Sequence, residues 1–505
     1  MENEVTPKKF SRLFSKPGFW LLLIIASALL VRLYHITYPI NDMHDFRQTQ
    51  TAGLIRDYYR HGINLLYPTI ITLGKPGYLV LEFPIYQAIS AVLYKIFTPD
   101  VIVARFFTIL IGLLSIYFVY RISSRFLDQK SSLLAAFFFA FMPLDIFFQR
   151  VPMQDPLTIL VSLIMLDCLI EGIRGKKIYL VFGMLAASLG LVMKSPFAGP
   201  LFLPSVYLIW RERKKSKASD YMAYLATFIV PLTVMVIWQR HANFVNNTYC
   251  NKSGYPFRDL YASFVVKLHP FNTVYFGTIA ERLALKNYLI ITRRIFWKAL
   301  TPAGFFFFVA GVFSLALRKK AGFLFVWLFS LCIIVWTVFN MYIVHNYWLL
   351  PLCPVLSIFC GAGAGSLLDG LKKYGKWITT AFVVIIAAAV FSTGFSTAKK
   401  LFRGTSLIVI GEFIGQHTEK GSLVAIASPD VDLFNPVLMY FADRHGFTIP
   451  LNRMNNAMVE YMRLQGVKYL AEIEPSGFVV TTRIFDISGN KPVPVAYSVG
   501  QMRPN

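Results

Sequence analysis

A dense group of polar side chains follows directly after the first hydrophobic segment of the chain. The stretch 41–52 reads NDMHDFRQTQTA, in a chain of which only 15% is charged. A carboxylate or an imidazole can act as a general base toward a hydroxyl group, and a guanidinium can bind a phosphate. Because polar groups are costly near a bilayer, such a cluster at the end of an apolar segment indicates a function. The side chains with this chemistry are Asp42, His44, Asp45, Arg47 and Gln48.

The same residues also fit the start of a helix. In this interpretation Asp45 caps the helix, and Gln48, three residues later, reaches back to it. It accounts for these two side chains but leaves Asp42, His44 and Arg47 without a role, so we keep both interpretations.

Further candidates lie close to the ends of other apolar segments. Lysines and arginines there could hold a phosphate and stabilise it as a leaving group. Most of these residues also have a simpler explanation as helix-start carboxylates, as members of an aromatic belt or as lysines that extend to the membrane interface. The candidates are Lys75, Glu82, Arg150, Asp155, Lys194, His345 and Tyr347.

The composition is that of a polytopic membrane protein. The 505 residues are 56% hydrophobic, and the mean hydropathy is +0.55. The net charge of +24 would suggest nucleic-acid binding in a soluble protein. Here the basic excess lies in short loops between apolar segments, as membrane orientation requires. The five cysteines lack metal-ligand spacing, so we predict neither a metal site nor a disulfide framework from them.

Hydrophobic segments long enough for the ~30 Å core of a bilayer predict the membrane spans. The first follows a basic N-terminus at 1–17 and has no small-residue cleavage site, so we expect an uncleaved signal anchor. A sharp turn is expected at Lys194–Pro196, between two adjoining segments. The eleven predicted spans are 18–38, 101–121, 131–149, 156–173, 178–194, 195–210, 221–239, 299–317, 322–344, 347–368 and 377–396.

The apolar segment 83–98 is ambiguous by length, and charge decides its placement. If it crossed the membrane, five basic loops would turn outward while the N-terminus stayed inside, against the positive-inside rule. We therefore predict a helix that lies beside the membrane. The segment 284–298, which mixes aromatic and basic residues, predicts a second interfacial helix. This topology places the first loop 40–82, the loop 240–298 and all the candidate residues on the outer side.

From residue 399 the pattern changes to alternating strands and helices. Strands are predicted at 422–427, 447–449 and 467–471, and helices at 435–445 and 455–465. We expect three parts: a basic N-terminus 1–17, a transmembrane domain 18–398, and an outer α/β domain 399–505 that is peripheral to catalysis.

The run 44–52 resembles the first-loop motif of bacterial glycosyltransferases of the GT-C superfamily. These are related to the protein O-mannosyltransferases (glycosyltransferase family 39) and to the lipid A aminoarabinose transferase. Further similar pieces occur in the family's order, at 82–86 (EFPIY), 150–155 (RVPMQD), 192–194 (VMK) and 345–351 (HNYWLLP). The resemblance extends from residue 18 to about 370.

The resemblance implies a multi-pass protein of the bacterial cytoplasmic membrane whose active site lies on the outer face. There a sugar carried on polyprenyl phosphate would be transferred, with inversion, to an acceptor on a lipid, a polysaccharide or a protein. Nucleic acid is not an expected partner. Some relatives use a divalent metal, but His44 and Asp45 alone are too few ligands to assign one.

The resemblance also suggests a role for each candidate, although this chain departs from the usual Asp-Glu of the first loop. His44 stands at the Asp position and Asp45 at the Glu position, with Asp42 two residues upstream. Any of these three side chains could be the base; we favour Asp45, with His44 second. Asp155 would support the acceptor or orient the first loop. The expected phosphate ligands are Lys194, Arg47, Lys75 and Arg150, and the expected substrate contacts are Gln48, Glu82, His345 and Tyr347.

Two other functions remain open at this stage. A non-enzymatic flippase or transporter of lipid-linked sugars would favour ionisable residues near mid-span and repeat-related halves. A polysaccharide ligase would also use polyprenyl-linked donors, but the first-loop motif argues against it.

Overall fold

The computed structural model of the chain describes residues 16–250, 273–316, 318, 321–402, 404, 407–429, 435–476, 479–489 and 491–501. Most of the basic N-terminus and the middle of the predicted loop 240–298 lie outside these ranges.

Helices dominate the described part of the chain. In chain order they are α1 (Pro17–Arg32), α2 (Asp45–His61), α3 (Ile85–Ile96), α4 (Val101–Ser123), α5 (Gln129–Phe141), α6 (Pro143–Phe148), α7 (Asp155–Ile173), α8 (Ile178–Ala198), α9 (Phe202–Arg211), α10 (Ala218–Cys250), α11 (Thr273–Phe276), α12 (Ile279–Leu283), α13 (Leu285–Arg294), α14 (Thr301–Ala316), α15 (Gly322–Thr337), α16 (Phe339–Val344), α17 (Leu352–Leu371), α18 (Lys376–Lys399), α19 (Leu407–Gln416), α20 (Val437–Ala442) and α21 (Asn456–Leu464).

Seven helical segments of the described chain are long and apolar enough to cross a membrane. The first predicted span, 18–38, is the shorter apolar helix α1, and 322–344 is broken at Val338 between α15 and α16. The predicted span 131–149 is broken at Met142, because Pro143 cannot continue the hydrogen-bonding of α5. The number of eleven spans therefore stays a prediction.

The predicted turn at Lys194–Pro196 is present. Lys194 has φ −161° and ψ 86°, which interrupts α8 just before Pro196. A Cβ atom added to Gly190 would lie 2.9 Å from Cβ of Ala198, whereas eight residues of straight helix span about 12 Å. The chain therefore folds back on itself at Lys194, and 178–211 forms two helices rather than one.

Both segments that were predicted to lie beside the membrane form short helices. Helix α3 has 12 residues, which corresponds to about 18 Å, well short of the ~30 Å hydrocarbon core. Helix α13 begins at Leu285 and gives way to a π-helical turn at Ile295–Leu300, so the predicted helix 284–298 is regular only in its first part.

The chain divides into two compact units, which we describe separately. The helical unit consists of the described residues within Met1–Ile36, Arg105–Ile237 and Pro270–Lys400. The mixed unit consists of those within Thr37–Ala104, Trp238–His269 and Leu401–Asn505. The mixed unit thus combines the first loop with the C-terminal region, and its last part begins two residues after 399, the predicted start of the C-terminal domain.

In the helical unit, glycines allow helix backbones to approach closely. A Cβ atom added to Gly311 of α14 would lie 1.9 Å from the carbonyl oxygen of Phe359 in α17. A Cβ atom added to Gly363 would lie 2.1 Å from the carbonyl oxygen of Phe307. Close backbone packing of this kind is how helices associate in membranes, where the lipid itself is apolar.

The mixed unit contains a five-stranded sheet in the order β2-β1-β3-β4-β5. Strands β1 (Leu423–Ser428), β2 (His445–Pro450) and β3 (Val467–Ser476) were predicted within a few residues and pair in parallel. Strands β4 (Val479–Asp486) and β5 (Val493–Gln501) pair antiparallel and were not predicted. The two predicted helices are the shorter α20 and α21, and α19 was also missed.

Both faces of the sheet are covered, and the first loop covers part of each. Alternate residues of β1 point to opposite faces, as expected for a strand. On one face Ala425 and Ala427 pack with α21 and with Ile70, Leu73 and Leu79 of the first loop. On the other face Val424 and Ile426 pack with α19, with α20 and with Ile71. The apolar residues of the first loop are therefore part of the core of this unit.

Gly446 joins the first loop to the sheet. Its N–H donates to the carbonyl of Ile71 at 2.9 Å, and its carbonyl accepts from the N–H of Gly74 at 2.9 Å. A Cβ atom at Gly446 would lie 1.7 Å from the carbonyl oxygen of Val424 on the neighbouring strand.

We therefore expect Gly446→Ala to cost well over the roughly 1 kcal/mol of an average substitution, since backbone must move in two strands. The matched control is Gly489→Ala, because nothing lies within 4 Å of a Cβ atom there. Thermal unfolding of the purified variants measures the difference. Equal melting temperatures for the two would contradict the tight packing.

Candidate functional site

The first-loop cluster lies at the start of α2, but not as a helix cap. The capping position is His44, whose backbone is left-handed with φ 62° and whose side chain makes no capping hydrogen bond. Asp45 is the first helical residue, and its Oδ1 accepts from the N–H of Phe46 at 2.7 Å. The interpretation of Asp45 as the cap is therefore wrong.

Gln48 does reach back, but to a different partner. Its amide donates to Oδ1 of Asp42 at 2.5 Å and to the carbonyl of Met43 at 2.9 Å. Asp42 and Gln48 are both buried. Met43 in turn is bound through its N–H to the carbonyl of Leu401 at 3.1 Å. These bonds fix the backbone that carries His44 and Asp45.

The carboxyl group of Asp45 is less acidic than that of an ordinary aspartate. Burial raises its pKa above the usual value, and the nearby Asp42 carboxylate adds to the rise, while the hydrogen bond from Phe46 opposes it. A raised pKa brings a carboxylate closer to the pH at which it must accept a proton, which favours general-base chemistry.

Arg47 belongs to the same cluster and has a carboxylate partner. Its guanidinium pairs with Glu82 and donates to Oε1 of Gln50 at 2.9 Å. Arg47 and Glu82 line a cavity of about 40 Å³ together with Gln87. The structure therefore unites Arg47 and Glu82, which are 35 residues apart in the sequence.

In the helical unit, Lys194 and Asp155 form a buried ion pair. The ammonium group lies 2.5 Å from Oδ1 of Asp155, and the two side chains are 6% and 0% exposed. It also lies 4.3, 4.6 and 4.8 Å from the ring centres of Phe197, Tyr347 and Trp348. Oδ2 of Asp155 is buried without a hydrogen-bond partner among the described residues.

The local backbone explains how Asp155 and Lys194 come to lie close together. The break at Lys194 turns its side chain out of the α8 helix pattern, and Asp155 begins α7 just before Pro156. The aromatic rings that surround the ammonium group stabilise a cation there. The three candidates Asp155, Lys194 and Tyr347 are thus brought together.

Two other candidates of the helical unit contact different neighbours. The buried guanidinium of Arg150 donates to the carbonyls of Tyr34 and His35 at 2.8 and 2.7 Å, which connects α1 to the turn before α7. This contact gives Arg150 a clear structural role. The ring of His345 stacks on that of Tyr347 at 5.1 Å.

Lys75 lies apart from Arg47 within the mixed unit. Its ammonium group is exposed and donates to the carbonyl of Gly421 at 3.4 Å. It lines a different cavity, near the C-terminal end of α2.

That cavity contains a group of residues that the sequence analysis missed. Nε2 of His445 lies 2.9 Å from Oδ1 of Asp57, and Arg60 forms two hydrogen bonds with Asp443. Asp57 and Arg60 stand on one side of α2, but their partners lie nearly 400 residues later, so no local signal could identify the pairs.

Metal-ligand clusters are not found in the part of the chain that the structure describes. No group of three or more His, Cys, Asp or Glu side chains there could hold a metal ion. The four cysteines with described side chains are free; Cys332 is exposed, and Cys168, Cys353 and Cys360 are buried.

Comparison with known proteins supports the fold. Residues 76–238 match the family model described as dolichyl-phosphate-mannose-protein mannosyltransferase. The structure of ArnT from Cupriavidus metallidurans bound to undecaprenyl phosphate has a TM-score of 0.60 and 13% identity, over 90% of this chain and 93% of that one. No curated protein matches the chain in sequence.

A second similar structure is the archaeal oligosaccharyltransferase AglB from Archaeoglobus fulgidus in complex with an inhibitory peptide and a dolichol-phosphate. Its TM-score is 0.56 at 13% identity, over 90% of this chain and 69% of that one. With the helical architecture and the C-terminal sheet, these matches show that the chain is a multi-pass membrane protein with the GT-C fold. The fold-level resemblance seen in the sequence is thereby confirmed.

Proposed function

We propose that this protein is an inverting glycosyltransferase that moves a sugar from a polyprenyl-phosphate donor to an acceptor nucleophile at the outer face of the cytoplasmic membrane. The observation that carries the proposal is Asp45, a half-buried carboxylate of raised pKa held at the start of α2. The GT-C fold and the match to a mannosyltransferase family support it. The lipid phosphates named for the ArnT and AglB structures suggest the donor class.

The proposed reaction is a single displacement. The Asp45 carboxylate takes the proton of the acceptor hydroxyl, whose oxygen forms a bond to the anomeric carbon. The bond from that carbon to the phosphate oxygen breaks, and its electron pair leaves with the polyprenyl phosphate. Attack opposite the leaving group inverts the anomeric configuration. A base and a charge-stabilising group are the two requirements of this step.

The other candidates serve binding in this proposal. Arg47 would bind the donor phosphate by exchanging part of its contact with Glu82, since a guanidinium fits phosphate in a bidentate manner. Lys194 is proposed as a second phosphate ligand and Asp155 as its positioning partner. Asp42 and Gln48 hold the loop that carries the base. The acceptor nucleophile belongs to a lipid, a polysaccharide or a protein.

The direct test of the function is transfer by the purified protein in defined lipid. Donor consumption is measured with polyprenyl-phosphate sugars, and mass spectrometry of envelope glycolipids in a deletion strain identifies the missing product. Wild-type protein should release polyprenyl phosphate only when an acceptor is present. Movement of the donor between leaflets without cleavage would instead establish a flippase.

The orientation in the proposal predicts which loops are accessible from outside. We expect a cysteine at Asn64, in the first loop, to react with a membrane-impermeant thiol reagent in intact cells. A cysteine at Lys373, in a basic loop, should react only after the membrane is opened. Both positions are exposed in the structure, so local burial does not bias the comparison. Labelling in intact cells at Lys373 but not at Asn64 would show that the orientation is opposite to the proposed one.

A further inference from the structure

A large cleft lies at the C-terminal end of α2, at the opposite end of this helix from Asp45. It has a volume of about 690 Å³ and is lined by residues of the first loop and of the segments 420–422 and 443–445, all within the mixed unit. The volume falls in the range of about 300–1,000 Å³ that is typical of ligand sites. The twelve residues from Asp45 to Asp57 correspond to about 18 Å of helix.

The charges that line the cleft do not cancel. Arg60 pairs with Asp443 through hydrogen bonds of 2.7 and 2.9 Å, and Arg56 pairs with the same carboxylate at 2.9 Å, so Asp443 is already compensated. Asp57 accepts from Thr69 at 2.8 Å and contacts His445. The guanidinium of Arg444, also in the lining, is occupied by backbone carbonyls.

Two exposed ammonium groups are left without a carboxylate. Lys75 makes only the long bond of 3.4 Å to the carbonyl of Gly421, and Lys420 makes no hydrogen bond or ion pair among the described residues. A cleft that presents two uncompensated cations favours an anionic ligand.

Two tyrosines of the cleft indicate what kind of chemical group the ligand carries besides its negative charge. The rings of Tyr67 and Tyr78 meet edge to face at 5.6 Å, and both line the cleft. Such rings offer an apolar body with a polar tip, which suits the mixed apolar and hydroxyl surface of a sugar ring. Asn64 of the lining holds the turn before Tyr67 through its Oδ1, which accepts from Leu66 and Tyr67.

We propose that this cleft binds the distal part of an anionic glycan whose other end is the acceptor of the transfer reaction. A hydroxyl in this cleft would lie about 18 Å along α2 from Asp45, which is too far for Asp45 to take its proton. The distance suits a part of an extended acceptor that is remote from the reacting hydroxyl. The role of this glycan as an acceptor rests on the proposed function, whereas its binding to the cleft does not.

The experiment measures binding without a donor. The full-length protein in detergent is titrated into fluorescently end-labelled tetragalacturonate, which carries carboxylates, or into a phosphorylated mannopentaose. Neutral maltotetraose and a hexaglutamate peptide are the ligand controls. We expect both anionic glycans to bind more tightly than both controls. Whichever anionic glycan binds more tightly shows whether the cleft prefers carboxylate or phosphate. Binding should weaken as ionic strength rises from about 0.05 to about 0.5 M.

Variants locate the binding to the cleft. The double variant Lys75→Ala/Lys420→Ala should weaken anionic-glycan binding by about tenfold, in line with the modest strength of exposed charge pairs. Lys491→Ala, an exposed lysine of the same unit outside the cleft, is the matched control and should bind as wild type. Equal weakening by both variants, or hexaglutamate binding as tightly as the glycans, would overturn the proposal, as would no anionic-glycan binding at all.

A base variant separates this proposal from the transfer reaction. Asp45→Asn should bind the glycan probes with wild-type affinity, because Asp45 lies at the other end of α2. If the probes bind but the wild type transfers no sugar, the proposed function fails while the cleft remains a glycan site. If transfer occurs but no anionic glycan binds, only the cleft proposal fails.

Discussion

Asp45→Asn is expected to lower turnover by about 10²–10⁴-fold, because a general base typically contributes this much. Donor affinity should stay nearly unchanged, since the carboxylate acts mainly in the transition state. The measurement is turnover and donor binding of the purified variant in defined lipid. The asparagine keeps the size of the side chain, so the loop held by Asp42 and Gln48 should stay in place.

The pH dependence of turnover gives an independent check on Asp45. The base must be ionised, so turnover should fall as the pH is lowered through its pKa. Because burial and Asp42 raise that pKa, the fall should begin at a higher pH than for an ordinary aspartate. The residual activity of Asp45→Asn should lack this transition.

The stability of the same variant should move in the opposite direction to its activity. A folded-state pKa above the unfolded value means that the contribution of Asp45 to stability is present below the unfolded pKa and is lost as the pH rises through the folded pKa. At neutral pH the ionised carboxylate therefore lowers the free energy of unfolding. Asp45→Asn should melt at the same or a higher temperature than wild type at neutral pH.

His44→Ala is the control that separates the two candidate bases. His44 has a left-handed backbone and makes no capping bond with its side chain, so the substitution removes no helix cap. Full activity of Asp45→Asn with an inactive His44→Ala would move the base to His44. If both variants stay active, the first-loop cluster is structural and the proposed mechanism fails.

The sequence predicted the helical architecture and three central strands, because hydrophobic length and turn residues are local signals. It missed β4 and β5, which are antiparallel strands toward one edge, although the alternation of Val493, Val495, Tyr497 and Val499 in β5 is a local strand signal. It assigned the helix cap to Asp45 rather than to His44 because it could not foresee the left-handed backbone of His44. Such positive φ angles are set by the surrounding packing rather than by residue type.

The partners of the candidate residues were harder to predict than their identities. The sequence identified Lys194 and Asp155 as candidates near the ends of apolar segments. It could not show that they form one ion pair, because a sequence separation of 39 residues gives no distance in space. The same limit applies to the first loop, whose role in the core of the mixed unit depends on strands formed more than 340 residues later.

Lys194→Ala is expected to lower the free energy of unfolding by about 3–5 kcal/mol, because it leaves the buried Asp155 carboxylate without its counterion. Removal of the ammonium group also empties the space between Phe197, Tyr347 and Trp348. Thermal or denaturant unfolding of the purified variant measures this loss. The result would show that Lys194 stabilises the helical unit, but it would not by itself decide whether Lys194 also binds the donor.

The double variant Lys194→Met/Asp155→Leu separates the two roles. It removes both charges and fills the space with apolar side chains, so it should recover most of the lost stability, since replacing a whole buried ion pair is often neutral. If Lys194 binds the donor phosphate, the stable double variant should still show weakened donor affinity and low turnover. If the double variant binds the donor and turns over as wild type does, the ion pair is purely structural, and the phosphate contact must be assigned to Arg47.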